Sequence, residues 1–141
     1  MNRKDFEIMA PVGSYESLYS AINAGADAIY FGVEGLNMRS RSSVNFTLDD
    51  LHEISRICDE HGVKSYLTVN TIIYDEDMEK CRAIIDAVSR SGISAIIASD
   101  MAAILYARSR GVEVHISTQQ SVSNTATLRF FAQYADVVVL A

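Results

Sequence analysis

Tryptophan is missing from this 141-residue chain, proline occurs once, glycine seven times and cysteine twice. A chain so poor in proline and glycine, and 49% apolar, is neither a collagen-like repeat nor a linker-rich disordered polymer, so one compact domain is the default. Cys58 and Cys81 are too few for a disulfide framework. They stand in neither a C-x-x-C pair nor a Cys/His zinc spacing, which fits a reducing compartment and predicts no metal in this segment. No run approaches the roughly 20 apolar residues that a membrane span requires, and the polar start Met1-Asn-Arg-Lys-Asp-Phe-Glu7 lacks the apolar core of a secretory leader. The expected location is therefore the cytoplasm, with no membrane partner. Basic residues are in the minority: 12 Lys and Arg against 18 Asp and Glu leave a net charge of -6. That balance disfavours a chain-wide electrostatic grip on nucleic acid, although local basic spots survive it.

What is present is an alternation. Apolar runs of strand length at 8–10, 28–31, 65–69, 95–98, 112–116 and 137–140 are separated by five segments of helical periodicity,. Ser14 is placed to cap the first, where Tyr15, Leu18 and Ile22 share a face and Gly25 ends it,. Thr47 and Asp50 open the second with a capping-box-like pair, and Leu51, Ile54, Ile57 and Cys58 form its apolar stripe up to Gly62,. The third starts near Asp75 and carries Met78, Cys81, Ile85 and Val88 to Gly92; the fourth runs from Asp100 to Gly111, and the fifth from Asn124 to Tyr134. The cysteines thus fall on apolar helix faces, as core residues do.

The alternation repeats as text. Ala24-Gly-Ala-Asp-Ala-Ile-Tyr-Phe31, Ser91-Gly-Ile-Ser-Ala-Ile-Ile-Ala98 and Tyr134-Ala-Asp-Val-Val-Val-Leu140 are variants of one helix-exit-to-strand phrase, and His61-Gly-Val-Lys-Ser-Tyr-Leu67 and Arg110-Gly-Val-Glu-Val-His-Ile116 form a second. Strands that are nearly apolar on both faces and follow helices after short turns imply right-handed βαβ crossovers and a parallel sheet. Such units build either an open doubly wound sheet or a barrel. Pro11-Val-Gly13 after the first strand is not the dinucleotide fingerprint G-x-G-x-x-G, and polar residues close nearly every strand. The expected class is α/β, a parallel (β/α) TIM-barrel-like fold of about five βα units plus a sixth strand. A complete eight-fold barrel takes about 250 residues, so residues 1–141 are expected to be the N-terminal portion of a single barrel domain. Strands one and six would be unpaired apolar edges, which predicts self-association.

In such barrels chemistry gathers at the C-terminal ends of the strands, where the βα loops and helix N-termini converge. After strand one come Pro11, Gly13 and Ser14, and after strand two Gly32 and a loop holding Met38, Arg39, Ser40, Arg41, Ser42, Ser43, Asn45 and Phe46. Thr68, Asn70 and Thr71 follow strand three, Ser99 and Asp100 strand four, and Ser117, Thr118, Gln119, Gln120 and Asn124 strand five. From Asn37 to Thr47 the chain has two arginines and no acid, which suits either an anion, gripped by the guanidinium fork, or a plain solvated loop. Asn70, Ser117, Thr118 and Gln119 can hydrogen-bond a planar polar substrate or cap the following helices. Asp100 is placed to cap the fourth helix, either in that role alone or while also touching a ligand. His115 shares strand parity with Ser117 and points either to the barrel interior as a satisfied core histidine or towards the site. These residues assemble no nucleophile–base pair, metal cluster or phosphate-cradling glycine loop.

Several strand-end phrases, taken in register, resemble one family. Glu7-Ile-Met-Ala-Pro-Val-Gly13, Ala24 to Gly32, Asn45-Phe-Thr47, Tyr66-Leu-Thr-Val-Asn-Thr71, Ala98-Ser-Asp100 and His115-Ile-Ser-Thr-Gln119 with Asn124 are similar to the N-terminal half of the collagenase-like peptidase family U32. The resemblance implies a full-length enzyme, either a peptidase by family name, for which no catalytic residues are agreed, or an RNA hydroxylation protein acting on transfer or ribosomal RNA. Other members partner in oxygen-independent ubiquinone hydroxylation. It also implies an iron-sulfur cluster, in the hydroxylation branch, on four cysteines downstream of the matching region, so that this segment alone holds no cofactor and is inactive. A third alternative is a non-catalytic fragment that only associates. The strand-end residues matching the family phrases are Pro11, Gly13, Gly32, Arg39, Asn45, Asn70, Ser99, Asp100, Ser117, Gln119 and Asn124. With Arg41 added, those from Arg39 to Asn124 form the expected substrate-binding set, and the Arg39 and Arg41 loop would meet RNA phosphate or a small carboxylate co-substrate.

Overall fold

A computed structural model describes residues 1–36 and 46–141 of the chain. Among them six parallel strands form one sheet in the order of the sequence: β1 (Met9–Pro11), β2 (Ala28–Phe31), β3 (Lys64–Val69), β4 (Ala95–Ala98), β5 (Val114–Ile116) and β6 (Val137–Val138). Between them lie α1 (Tyr15–Asn23), α2 (Leu51–Glu60), α3 (Met78–Ser91), α4 (Met101–Ser109) and α5 (Thr125–Phe131). A doubly wound sheet reverses its strand order at a switch point. Here the order never reverses, so right-handed crossovers set every helix on the same face and the sheet curls into a half-barrel.

The register sorts the strand residues onto two faces. Ile29, Phe31, Leu67, Val69, Ile96, Ala98, Val114 and Ile116 join Leu18, Ile54, Ile85 and Ile104 of the helices in the main core. The alternating set Ala28, Tyr66, Ala95 and Ile97, with Tyr30, forms a second cluster on the concave face. Because side chains alternate along a strand, buried residues on both faces produce the nearly continuous apolar runs read from the sequence. His115 is on the concave face: its ring packs edge-on against Tyr66 with centroids 4.6 Å apart, and its Nε2 lies 2.8 Å from Glu113 Oε1. It is an interior histidine, away from the strand C-termini. Cys58 and Cys81 are buried core residues.

Helix starts follow the capping chemistry. Ser14 Oγ accepts from Ser17 N, and Asn124 Oδ1 accepts from Thr127 N at 2.9 Å. The second and third helical segments each begin with a single 3-10 turn, Leu48–Asp50 and Asp75–Asp77, in which Asp50 and Asp77 accept from the backbone N–H groups of Thr47 and Tyr74. Phe46 is buried between Tyr15 and Phe31, ring centroids 5.3 and 5.5 Å away. It pins the returning chain to the first two βα units.

Helix α3 stops at Gly92, whose φ of 83° is left-handed. A Cβ there would lie 2.7 Å from Ser55 Oγ on α2. Gly92→Ala combines the left-handed penalty with a steric overlap and is expected to cost about 2 kcal/mol in chemical denaturation. Adding Ser55→Ala should recover the overlap part only. A Gly92→Ala loss under about 0.5 kcal/mol, the scale of an ordinary surface change, would refute this account.

The N-terminal segment is clasped to the strand N-termini. Tyr66 Oη donates to Glu7 Oε1 at 2.6 Å and Lys64 Nζ to Glu7 Oε2 at 2.9 Å, while Arg3 pairs with Asp27 at 2.9 Å. Burial raises the Glu7 carboxyl, but the bonds from Tyr66 and Lys64 more than offset this, and its pKa falls below the ordinary glutamate value. A lowered native pKa contributes stability that is complete above the unfolded value of about 4.3 and is lost as pH falls through the native value. The urea midpoint should therefore be level above about pH 5 and decline below it. Glu7→Gln should lower the neutral-pH midpoint and flatten that decline; an unchanged slope in the variant would show that Glu7 has no part in it.

Candidate functional site

Strands β3, β4 and β5 end in polar residues where their apolar runs stop, and the three segments that follow enclose a cleft of about 600 Å³. Asn70, Thr71 and Ile72 come from the β3 end, Ser99, Asp100 and Met101 from β4 and the start of α4, and Gln119 and Gln120 from the turn after β5. This is the strand end at which barrel chemistry is expected.

The walls are tied to one another. Ser99 Oγ donates to Asn70 O at 3.0 Å and stands 3.4 Å from Gln119 Oε1. Gln120 Nε2 donates to Ser99 O, so all three strand ends are linked. Asp100 uses both carboxylate oxygens on backbone: Oδ1 accepts from Ala102 N at 2.9 Å, capping α4, and Oδ2 accepts from Ile73 N at 3.0 Å, fixing the β3 loop. The two glutamines ride on a 3-10 turn, Thr118–Gln120. Buried Ser117, whose Oγ accepts from Gln119 N at 3.4 Å, precedes it, and Ser121, held at a left-handed φ of 50°, follows it. A non-glycine residue is seldom held there, and such positions gather at sites where geometry matters. Thr71 Oγ1 is buried with no hydrogen-bond partner. An uncompensated hydroxyl of this kind costs roughly 1–3 kcal/mol.

Of the residues expected from sequence, the structure brings Asn70, Ser99, Asp100 and Gln119 together in the cleft. Ser117 is buried and positions Gln119. Asn124 caps α5 and does not line the cleft. Arg39, Arg41 and Asn45 lie outside the described residues. Thr71 and Gln120 stand in the strand-following segments, but nothing local separates them from their neighbours. Ile72 and Met101 supply apolar walls that a search for polar residues passes over.

Among the described residues lining the cleft there is no Lys, Arg, His or Cys, and the sole carboxylate is Asp100. The cleft offers neutral donors and acceptors between apolar side chains, an arrangement that binds and orients a flat polar group. A four-cysteine iron-sulfur cluster does not fit the residues present. Burial pushes the Cys58 and Cys81 thiols up to about 11, whereas cluster ligands are thiolates. Among the described residues no group of three or more His, Cys, Asp or Glu could hold a metal ion, and no helix is long and apolar enough to cross a membrane.

A curled, parallel half-barrel with helices on one face and a cleft of amides, hydroxyls and one carboxylate at the strand C-termini defines a protein of the (β/α) barrel class. The family model described as Peptidase family U32 matches residues 13–141, and the chain belongs to that family. It is 65% identical over 141 residues to a collagenase of Porphyromonas gingivalis, covering 100% of this chain and 34% of the relative. To the tRNA hydroxylation protein P1 of Bacillus subtilis it is 35% identical over 138 residues, covering 96% of this chain and 32% of the relative. The chain thus spans about a third of the length of these curated relatives. The solved structure of the U32 peptidase Mk0906 superposes with a TM-score of 0.76 at 12% identity, covering 95% of this chain and 57% of that one, and so shows the same fold.

Proposed function

We propose that residues 1–141 form the N-terminal portion of a single U32 barrel domain and that their strand-end cleft holds an RNA base while the completed enzyme hydroxylates it. The observation that supports this reading is the chemistry of the cleft: amides and hydroxyls between Ile72 and Met101, with Asp100 spent on backbone. A planar base with its own donors and acceptors matches such walls, as bases read in single strands do. Peptide hydrolysis needs an activated nucleophile, a metal or an acid–base pair, and the described cleft residues supply none of these. The kinship with a tRNA hydroxylation protein agrees with the reading. On it the Arg39 and Arg41 loop is assigned to RNA phosphate or to a small carboxylate co-substrate, the cluster ligands lie outside residues 1–141, and the protein works in the cytoplasm beside its transfer or ribosomal RNA.

Collagenase-like peptidase activity is the second reading, favoured by the 65% identity to the Porphyromonas gingivalis collagenase. Nucleoside analysis by mass spectrometry in cells lacking the whole protein decides between them. One nucleoside should lose a single oxygen atom and regain it with the wild-type gene but not with Gln119→Ala. An unchanged RNA, together with cleavage of denatured collagen by purified protein that Gln119→Ala abolishes, would establish the peptidase instead. Residues 1–141 expressed alone are expected to self-associate, because Phe6, Ile8 and Met9 at one sheet edge and Val137 and Leu140 at the other are exposed,. Light scattering that finds only monomer at high concentration would contradict this.

A further inference from the structure

We infer that Thr71 is a specificity-determining residue of the cleft, whose hydroxyl is satisfied by the bound group and by nothing in the protein itself. The inference rests on the reading of the cleft as a base-binding site and goes beyond it by assigning one residue to ligand selection.

Thr71 borders the cleft, two residues past the end of β3, between Asn70 and the exposed Ile72. Its neighbours in the wall are committed: Asp100 to Ile73 N and Ala102 N, Ser99 to Asn70 O, Gln120 to Ser99 O. Thr71 Oγ1 is the one buried side-chain oxygen or nitrogen among the described residues without a partner. Folded proteins satisfy the large majority of such groups, and on this inference the orphan on the cavity wall meets its partner in the ligand. Threonine can meet that partner cheaply. Oγ1 and Cγ2 sit in staggered χ1 wells, and a turn of about 120° carries the hydroxyl into the well the methyl held while the methyl takes the place of the Cβ hydrogen. The hydroxyl then both donates and accepts at the cleft surface, and a ligand atom placed against it is favoured over an apolar atom at the same point.

Thr71→Val removes the hydroxyl and keeps the shape, which makes it the discriminating variant. In the whole protein, with binding of a short single-stranded RNA of mixed sequence as the probe, Thr71→Val is expected to weaken binding by roughly tenfold to a hundredfold. Its melting temperature should equal or exceed that of the wild type, since a buried unpaired group has gone. Thr71→Ser, which keeps the hydroxyl, should bind within about threefold of wild type. A residue serving the fold alone would not move stability and affinity in opposite directions. Wild-type affinity in Thr71→Val overturns the role of Thr71 while leaving the cleft as the RNA site. Failure of the wild-type protein to bind the probe, or equal binding by Gln119→Ala, overturns the reading of the cleft and this inference with it.

Discussion

Replacing Ile96 by alanine is expected to lower the unfolding free energy by about 4 kcal/mol, and the same change at the adjacent Ile97 by about 2 kcal/mol. The two side chains leave β4 on opposite faces. Ile96 is fully buried in the main core between sheet and helices, with Leu67 and Val114 on the flanking strands and Ile85 and Ile104 on the helices. Truncation there removes apolar contacts on every side and leaves a cavity that elements fixed by two crossovers cannot fill. Ile97 belongs to the small concave cluster with Ala28, Tyr66 and Ala95, and it keeps 7% of its surface exposed. Its neighbours can relax into the open side of the sheet, so less of the truncation cost persists. Urea denaturation of both variants checks the order. Equal losses would mean that the concave face is packed as tightly as the helical one, which a half-barrel open at β1 and β6 does not allow.

Asp100→Ala should cost about 3 kcal/mol and at the same time loosen the cleft. Its two carboxylate oxygens make two separate bonds. The N-cap to Ala102 N is worth about 1 kcal/mol, and a charged acceptor for the Ile73 N–H about 2 kcal/mol. Asp100→Asn separates the two. The amide keeps an oxygen for Ala102 N and turns an NH2 group, which cannot accept, towards Ile73 N. The asparagine variant should therefore retain the start of α4, lose roughly the larger share of the stability, and free the loop that carries Thr71 and Ile72. Thermal denaturation together with amide hydrogen exchange at Ile73 tests this. Protection of that amide in Asp100→Asn equal to wild type would show that the bond to Oδ2 does not hold the loop.

Asp100 also shows where reading a sequence reaches its limit. Its place before an apolar helical stripe marks it as a cap, and the structure has it capping. The second bond, to a backbone 27 positions earlier in the chain, depends on β3 and β4 lying side by side with Val69 opposite Ala98. No local pattern carries that register. Ser117 and Gln119 follow the same logic: the sequence leaves ligand binding and local capping open for both, and only the structure shows Ser117 buried with its Oγ accepting from Gln119 N. Asn124, expected in the binding set, turns its side chain to Thr127 N.

Element identity was set by the chain itself. Apolar runs at 28–31 and 95–98 coincide with β2 and β4, because central parallel strands are buried on both faces and leave an unbroken apolar signature. The runs at 112–116 and 137–140 shrink to Val114–Ile116 and Val137–Val138, since pairing with a neighbour, and not hydrophobicity, decides where a strand ends. Five helices, their caps at Ser14, Asp100 and Asn124, and the end of α3 at Gly92 likewise follow from short-range propensity. Only the tertiary structure decided that the strand order never reverses, that Glu7 reaches across to Tyr66 and Lys64, and that three loops distant in sequence share one cleft with an unpaired Thr71 hydroxyl. The physical reason is range. Helix and strand preferences act over a few residues, whereas convergence at the strand ends comes from sheet register and curl, which sum contacts over the whole chain.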